Sequence, residues 1–306
     1  MSLLPLLLAL STAASSATVA PAHTLPLWMH NGHPSVAVQL GDSVQPLRFV
    51  VDSAAGATVI DAGTATRLGL VDPNSSRTVA TGATAAATQL RRTHSTRWTL
   101  GTLSFDAAAM QTDLSALGAN AGQRLDGILG NDITRRWDTR WSIPEQQLQL
   151  WTPGTLPAQG ACQANSLPGR AAALQGFAFI QMQLGETGSA ATAVIDTGAA
   201  QTVLNRAAAS ALGLKTDGSD ARVRERASGT RGLGGSAQAT WLTTLPALAS
   251  GDWQHGPLEV RISELPVFKV LGLVETPALI LGADALLRSQ VDVFAGAERV
   301  CLAKVK

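Results

Sequence analysis

The run VAVQLGDSVQPLRFVVDSAAGATVIDAGTATRLGL, Val36 to Leu70, decides how the chain is read, because it recurs. Laid over IQMQLGETGSAATAVIDTGAAQTVLNRAAASALGL, Ile180 to Leu214, it aligns without a gap at a shift of 144 residues (196 − 52). The shift pairs Leu40-Gly41 with Leu184-Gly185, Asp52 with Asp196, Thr58 with Thr202, and Leu68-Gly69-Leu70 with Leu212-Gly213-Leu214. A second match follows each copy in the same order, Ile128-Leu129-Gly130-Asn131-Asp132 against Ile280-Leu281-Gly282-Ala283-Asp284. One match among so many Ala and Gly residues would mean little; two in the same order make the chain two copies of one unit.

Each copy predicts the same local structure. Val36, Val38 and Leu40 alternate with other residues, as do Ile180, Met182 and Leu184, which is the period of a half-buried strand. Gly41-Asp42 and Gly185-Glu186 then turn the chain into second apolar runs at 47–51 and 191–195, each ending on an Asp that opens into a loop. The triplets Thr58-Val59-Ile60 and Thr202-Val203-Leu204 lead into short helices closing at Leu-Gly-Leu, where Gly suits a left-handed cap. A lone carboxylate in such a loop is ordinarily a turn residue bonding nearby amides. Two of them, at equivalent places of a duplicated unit, ask for a joint purpose.

The composition is compatible with this reading. At 306 residues and 31.6 kDa the chain is long enough for two cores, each of roughly 120–150 residues. With 23 Lys+Arg against 22 Asp+Glu there is no net field to attract nucleic acid or an anionic membrane. Val-rich runs between Gly, Asp and Asn favour strands. The opening MSLLPLLLALSTAASSATVAPA has a Leu-rich core from Leu3 to Leu10 and A-x-A-like cleavage options at Ala20 or Ala22. That apolar core is far short of the ~20 residues a bilayer needs. Residues 1–22 are therefore read as a signal peptide, and the protein as exported, periplasmic or secreted, with no membrane span after signal removal. Cys162 and Cys301 are the sole cysteines, and either a bridge or two inert thiols fits the sequence. PGTLPAQGACQANSLPG, Pro153 to Gly169, reads as a linker. The expected organisation is a first lobe at 23–152, a linker at 153–170 and a second lobe at 171–306.

In the second copy, AVIDTGAAQTVL resembles the active-site loop of aspartic proteases: apolar-apolar-Asp-Thr-Gly-Ala, with a later apolar-apolar-Gly at Ile280-Leu281-Gly282. The first copy carries Val50-Val51-Asp52-Ser53-Ala54-Ala55 and then Ile128-Leu129-Gly130. This two-part pattern is similar to that of the retropepsin-like and pepsin-like families. The resemblance implies a mainly β fold of two retropepsin-like β-barrel lobes with short helices, related by pseudo-two-fold symmetry. It implies an aspartic endopeptidase in which Asp52 and Asp196 activate one water, with Ser53 and Thr197 bonding across to the opposite loop and Gly198 supporting a carboxylate. Such chemistry requires no cofactor and no metal; its partner is a peptide or protein substrate, and a monomer holding both lobes is sufficient. Ala54, where the second copy has Gly198, departs from the pattern and implies a slightly shifted loop. Ala55 and Ala199 stand where acid-optimum pepsins often carry a hydroxyl, which implies a less acidic working range. The flap is expected at residues 227–236 and 81–84, with Gly82, Gly232 and Gly234 at the tips, and ordinary turns as the bland reading. The chain has no Tyr for a pepsin-type flap. The runs at 147–151 and 299–305 are expected to pair beneath the lobes.

Other readings carry less. Asp132 and Asp284 are placed to cap or charge short helices. His30 and His33 form H-x-x-H near His23, without a Cys, Asp or Glu to complete a metal set. Nucleophile-elbow, phosphate-loop, dinucleotide and zinc-protease patterns are not found. A catalytically inactive, peptide-binding pseudoprotease of the same fold, with Ala54 as its trace, and a purely structural β protein remain as alternatives.

Overall fold

A computed structural model describes residues 19–84, 87–118, 124–166, 174, 176–233, 237–295 and 299–305. Most of the expected signal peptide, and Gly234, lie outside the described residues.

The alternating runs become antiparallel hairpins. His33–Leu40 pairs with Leu47–Val51 across a turn at Gly41, and Phe179–Leu184 pairs with Ser189–Ile195 across Gly185. Around them each copy builds a sheet. In the first lobe the strand order is Arg77–Ala80, Thr88–Arg92, Met110–Thr112, Val59–Asp61, Gly127–Leu129, Leu47–Val51, His33–Leu40, Thr96–Leu100 and Leu103–Ala107, with Trp28–His30 paired beside His33–Leu40. In the second it is Arg224–Glu225, Trp241–Leu245, Leu258–Ile262, Val203–Leu204, Ala278–Leu281, Ser189–Ile195, Phe179–Leu184, Leu248–Ser250 and Trp253–His255. The two orders correspond strand for strand. The protein is mainly β, with two curled lobes and short helices, as expected.

The short helices start where the sequence supplies a cap. Asp61 accepts from the Thr64 amide to begin Ala62–Arg67, and Asn205 accepts from the Ala208 amide to begin Arg206–Ala211. Both helices give way to a positive-φ glycine, Gly69 (67°) and Gly213 (63°). The inward residues of both lobes, among them Phe49, Ile60, Trp98, Ile180, Ile262 and Leu281, join one continuous apolar core.

A third sheet lies between the lobes. Its order is His23–Pro26, Gln147–Trp151, Asp138–Ser142, Ser289–Phe294, Arg299–Lys304 and Ala161–Ala164. Gln147–Trp151 and Arg299–Lys304 therefore share a sheet, but two strands stand between them instead of a direct pairing. The stretch read as a linker contributes an edge strand, and there Cys162 lies opposite Cys301, the two joined as a disulfide across 139 residues of sequence.

At the middle of this sheet Arg140 sits opposite Asp292. The spacing of 152 residues that relates Ile128 to Ile280 also relates Arg140 to Asp292. The pair therefore stands where equivalent strands of the two copies cross. Two identical copies would set like charges against each other here; divergence supplies opposite ones. Arg140 donates from Nε and Nη2 to the two carboxylate oxygens at 2.8 Å each, with side-chain exposures of 8% and 0%. Breaking a buried pair strands a charge, whereas replacing both partners with apolar groups need not. Arg140→Met is expected to lower stability by about 3–5 kcal/mol, and Arg140→Met with Asp292→Leu to recover most of that loss; urea unfolding of the three proteins measures both.

Candidate active site

Asp52 ends the strand Leu47–Val51 and Asp196 ends Ser189–Ile195. Each is tied to the second signature of its own lobe, the Asp52 amide donating to Leu129 O at 2.9 Å and the Asp196 amide to Leu281 O at 3.0 Å. The glycines that follow are required by close approach, not by φ. A Cβ on Gly130 would lie 2.8 Å from Ala55 O, and one on Gly282 would lie 2.9 Å from Ala199 O. The helices that begin there fasten onto the same loops: Asn131 N donates to Ala55 O and Ala283 N to Ala199 O, each at 2.8 Å.

Asp132 and Asp284 stand in the first turns of those helices, as expected, and have a further task. Thr58 Oγ1 donates to Asp132 and Thr202 Oγ1 to Asp284, each at 2.7 Å, while the same hydroxyls accept from the amides of Gly130 and Gly282. The duplicated Thr and Asp residues thus form a brace behind each loop. Sequence alone showed the Thr pairing by register and the Asp pairing by motif, but nothing in it joined the two.

The loops interlock. Ser53 N donates to Thr197 Oγ1 (3.0 Å) and Thr197 N to Ser53 Oγ (3.1 Å), while Ser53 Oγ donates to Ile195 O and Thr197 Oγ1 to Val51 O, each at 2.8 Å. Each hydroxyl therefore grips the backbone beside the opposite acid, as the resemblance implied. Both side chains are buried, Thr197 completely.

This grip brings the acids together. The Asp52 and Asp196 side chains lie close enough for each to act on the other's titration. Amides of Ala54 and Ala55 support Asp52, and those of Gly198 and Ala199 support Asp196. Burial pushes both carboxyls above their ordinary value of 3.8, and for Asp196 the neighbouring charge of Asp52 adds to burial. Two carboxyls so placed repel each other when both ionise, so their titrations are linked.

Ala54 takes a backbone conformation open to any residue. Asn31 and Gln146 are the only described non-glycine residues with positive φ, so Ala54 is unstrained. Its methyl packs on the second lobe's apolar cluster with Phe179, Val203 and Ile280. Gly198 has no such freedom, because a Cβ there would run into the Asp52 carboxyl.

Above the acids, two hairpin tips meet. Gly232 N donates to Thr84 Oγ1 at 2.9 Å and Gln238 Nε2 to Thr84 O at 3.0 Å. Gly82 lies against the Leu233 carbonyl, and the Leu233 side chain rests on the first lobe's apolar patch of Val50, Ala55, Val59, Met110 and Ile128. Sequence reasoning missed His33. Its ring Nδ1 donates to Gly198 O at 2.8 Å, so the first hairpin of one lobe props the acid loop of the other.

A family model described as aspartyl protease matches residues 36–133 and again residues 180–285. The chain belongs to the aspartyl protease family. The double match fits the duplicated bilobal unit, and no curated protein sequence matches the chain. As an aspartyl protease it has a protease-type hydrolase fold, and no helix among the described residues is long and apolar enough to cross a membrane.

Two outcomes follow from this geometry. Thr197→Val keeps the shape but removes two hydrogen bonds across the lobes and orphans the Ser53 amide, so stability should fall by about 2–4 kcal/mol, read by urea unfolding. Because folding raises both carboxyl pKa values, the dyad's contribution to stability is fully present below the unfolded value and is lost as pH rises through the folded ones. Asp196→Asn should therefore flatten the decline in stability as pH rises above the ordinary carboxyl value of 3.8, measured by unfolding over a series of pH values.

Proposed function

We propose that this aspartyl protease is an active endopeptidase in which Asp52 and Asp196, one from each lobe, activate a single water. The observation that carries the reading is the pair of half-buried carboxyls, one from each lobe, that the crossed Ser53 and Thr197 hydrogen bonds bring together and whose pKa values are both raised. The ionised carboxylate takes a proton from water while the oxygen of that water bonds to the peptide carbonyl carbon. The protonated partner gives its proton to the carbonyl oxygen, and the tetrahedral intermediate collapses with C–N cleavage and proton transfer to the leaving nitrogen. The dyad is left with one proton, ready for another turn.

Ser53 and Thr197 are positioning residues in this reading, holding the two carboxyls in reach of one water. The hairpin tips carrying Gly82 and Gly232 act as paired flaps that open for a peptide and close to exclude water. The raised carboxyl pKa values favour a working range extending above that of strongly acid proteases. The disulfide and the opening apolar segment support export to an oxidising compartment, periplasmic or extracellular. Since one chain supplies both acids, we read the working form as a monomer.

Incubating the mature protein with a diverse peptide mixture from pH 3 to pH 7, beside Asp52→Asn and Asp196→Asn, tests the dyad. Wild type should cut, and each variant should lose at least about a thousandfold in rate, read by mass spectrometry. A folded wild type that binds peptides but cuts none would make this an inactive pseudoprotease.

A further inference from the structure

The two walls of the cleft are built alike and differ in charge. Leu258–Ile262 runs parallel to Val203–Leu204 with Arg261 at the register of Val203, and in the first lobe Met110 occupies the same register against Val59. Likewise Gln201 stands 144 residues from Ala57. The first wall is apolar: Met110 packs with Val50, Val59, Leu114 and Ile128. The second carries a half-buried guanidinium.

That guanidinium is anchored to the loop that follows Asp196. Arg261 Nε donates to Gln201 Oε1 at 2.8 Å, on the loop that follows Asp196, and Nη1 donates to Thr230 Oγ1 at 3.3 Å, on the second lobe's flap hairpin. His33, bonded to Gly198 O, is close enough for its titration to feel the Arg261 charge. The partners that fix Arg261 are neutral, and among the described residues no ion pair includes it. Its nearest charged neighbours include a second cation, Arg226, whose buried Nε has no hydrogen-bond partner. The carboxylate in range, Asp284, is already engaged by the amide and hydroxyl of Thr202. Holding a guanidinium partly out of water beside another cation is unfavourable unless an anion meets it. Burial and Arg226 both act on Arg261 in the direction of that cost.

We propose that Arg261, oriented by Gln201 and Thr230, is a specificity-determining residue that receives a carboxylate of the substrate on the second-lobe side of the scissile bond. Resting on the protease reading above, this makes the substrate class a peptide with an acidic group on one side of the cut and an apolar side chain facing the Met110 wall on the other. The planar fork of an arginine already braced by two acceptors loses little freedom on meeting a carboxylate, which favours it over a mobile surface cation. The carboxylate can come from an internal Glu or Asp, the case the open-ended cleft of an endopeptidase favours, or from a peptide C-terminus.

Octapeptides that differ only in Glu or Gln at each position, each prepared with a free and an amidated C-terminus, separate these cases. Cleavage by wild type should be about ten- to a hundredfold faster in kcat/KM for Glu than Gln at one position, and insensitive to amidation. Arg261→Met, which copies the first lobe's residue, should erase that ratio by slowing the Glu peptide; Arg261→Lys should keep part of it. Binding of the same peptides to Asp52→Asn, followed by fluorescence anisotropy, gives a readout that does not need cleavage. Acid-selective binding without any cleavage by wild type would defeat the catalytic reading and leave the carboxylate site standing. Cleavage with equal rates for Glu and Gln at every position, or a ratio unchanged in Arg261→Met, would overturn the site and leave the protease. A preference that vanishes on amidation would reassign the carboxylate to the peptide terminus and overturn the internal-acid form.

Discussion

Two carboxyl groups in a poorly solvated site repel each other as soon as both ionise, and everything around Asp52 and Asp196 is arranged to keep them together regardless. The crossed hydroxyls of Ser53 and Thr197 do this with backbone partners alone: each accepts the amide of the other residue and donates to the carbonyl just before the opposite acid. Displacing either acid would break hydrogen bonds in both lobes, each worth about 1 kcal/mol net and more when a buried amide is orphaned. Each unit by which a carboxyl's pKa is raised shifts the balance about 1.4 kcal/mol toward keeping its proton. Sharing a proton is the cheaper way to relieve the repulsion, and the grip leaves it as the one available.

Duplication within one chain allows what a homodimer forbids. A two-fold axis through identical subunits places a residue opposite itself, so a buried Arg140 would face another arginine. Here the copies have diverged to Arg140 and Asp292 at that place, and the lobes are held in register by an ion pair between equivalent positions. The same licence explains Ala54 against Gly198. Only the second loop needs a bare Cα beneath the Asp52 carboxyl, while the methyl of Ala54 finds an apolar surface. It extends to the cleft walls, where Ala57 and Met110 answer Gln201 and Arg261. The dyad keeps its symmetry because its chemistry uses two equal groups, and the walls lose theirs because a peptide has a direction.

Much of this was legible in the sequence because repetition converts weak local signals into strong ones. The shift of 144 residues, widened to 152 at Ile128 and Ile280, foretold which strands correspond, and the strand orders of the two lobes match. What stayed hidden depends on pairings between segments far apart in the chain. Gln147–Trp151 and Arg299–Lys304 both read as strands, but an apolar run does not say which neighbour it takes, and two strands came between them. Cys162 and Cys301 had no defined separation until the linker became an edge strand opposite the last one. His33 lay in an H-x-x-H that suggested, if anything, a metal; its partner is a backbone carbonyl 165 residues away, which no side-chain pattern announces. Arg261 was one arginine among many until its register against Val203 set it against the loop that follows Asp196.

The roof of the cleft is the weakest part of the assembly, and its weakness suits its place. Thr84 takes one backbone and one side-chain hydrogen bond from the opposite hairpin, and Leu233 rests on the first lobe's apolar patch. Two exchangeable hydrogen bonds and one partly buried leucine amount to roughly 2–5 kcal/mol, a fraction of what holds the grip below. The patch beneath Leu233 includes Ala55 and Met110, residues of the acid loop and of the cleft wall, so an apolar substrate side chain seeking that surface competes with the flap's own leucine. Of the roof contacts among the described residues, the leucine is one that an apolar substrate side chain can replace. The dyad has no such exchange partner and stays fixed while the roof above it moves.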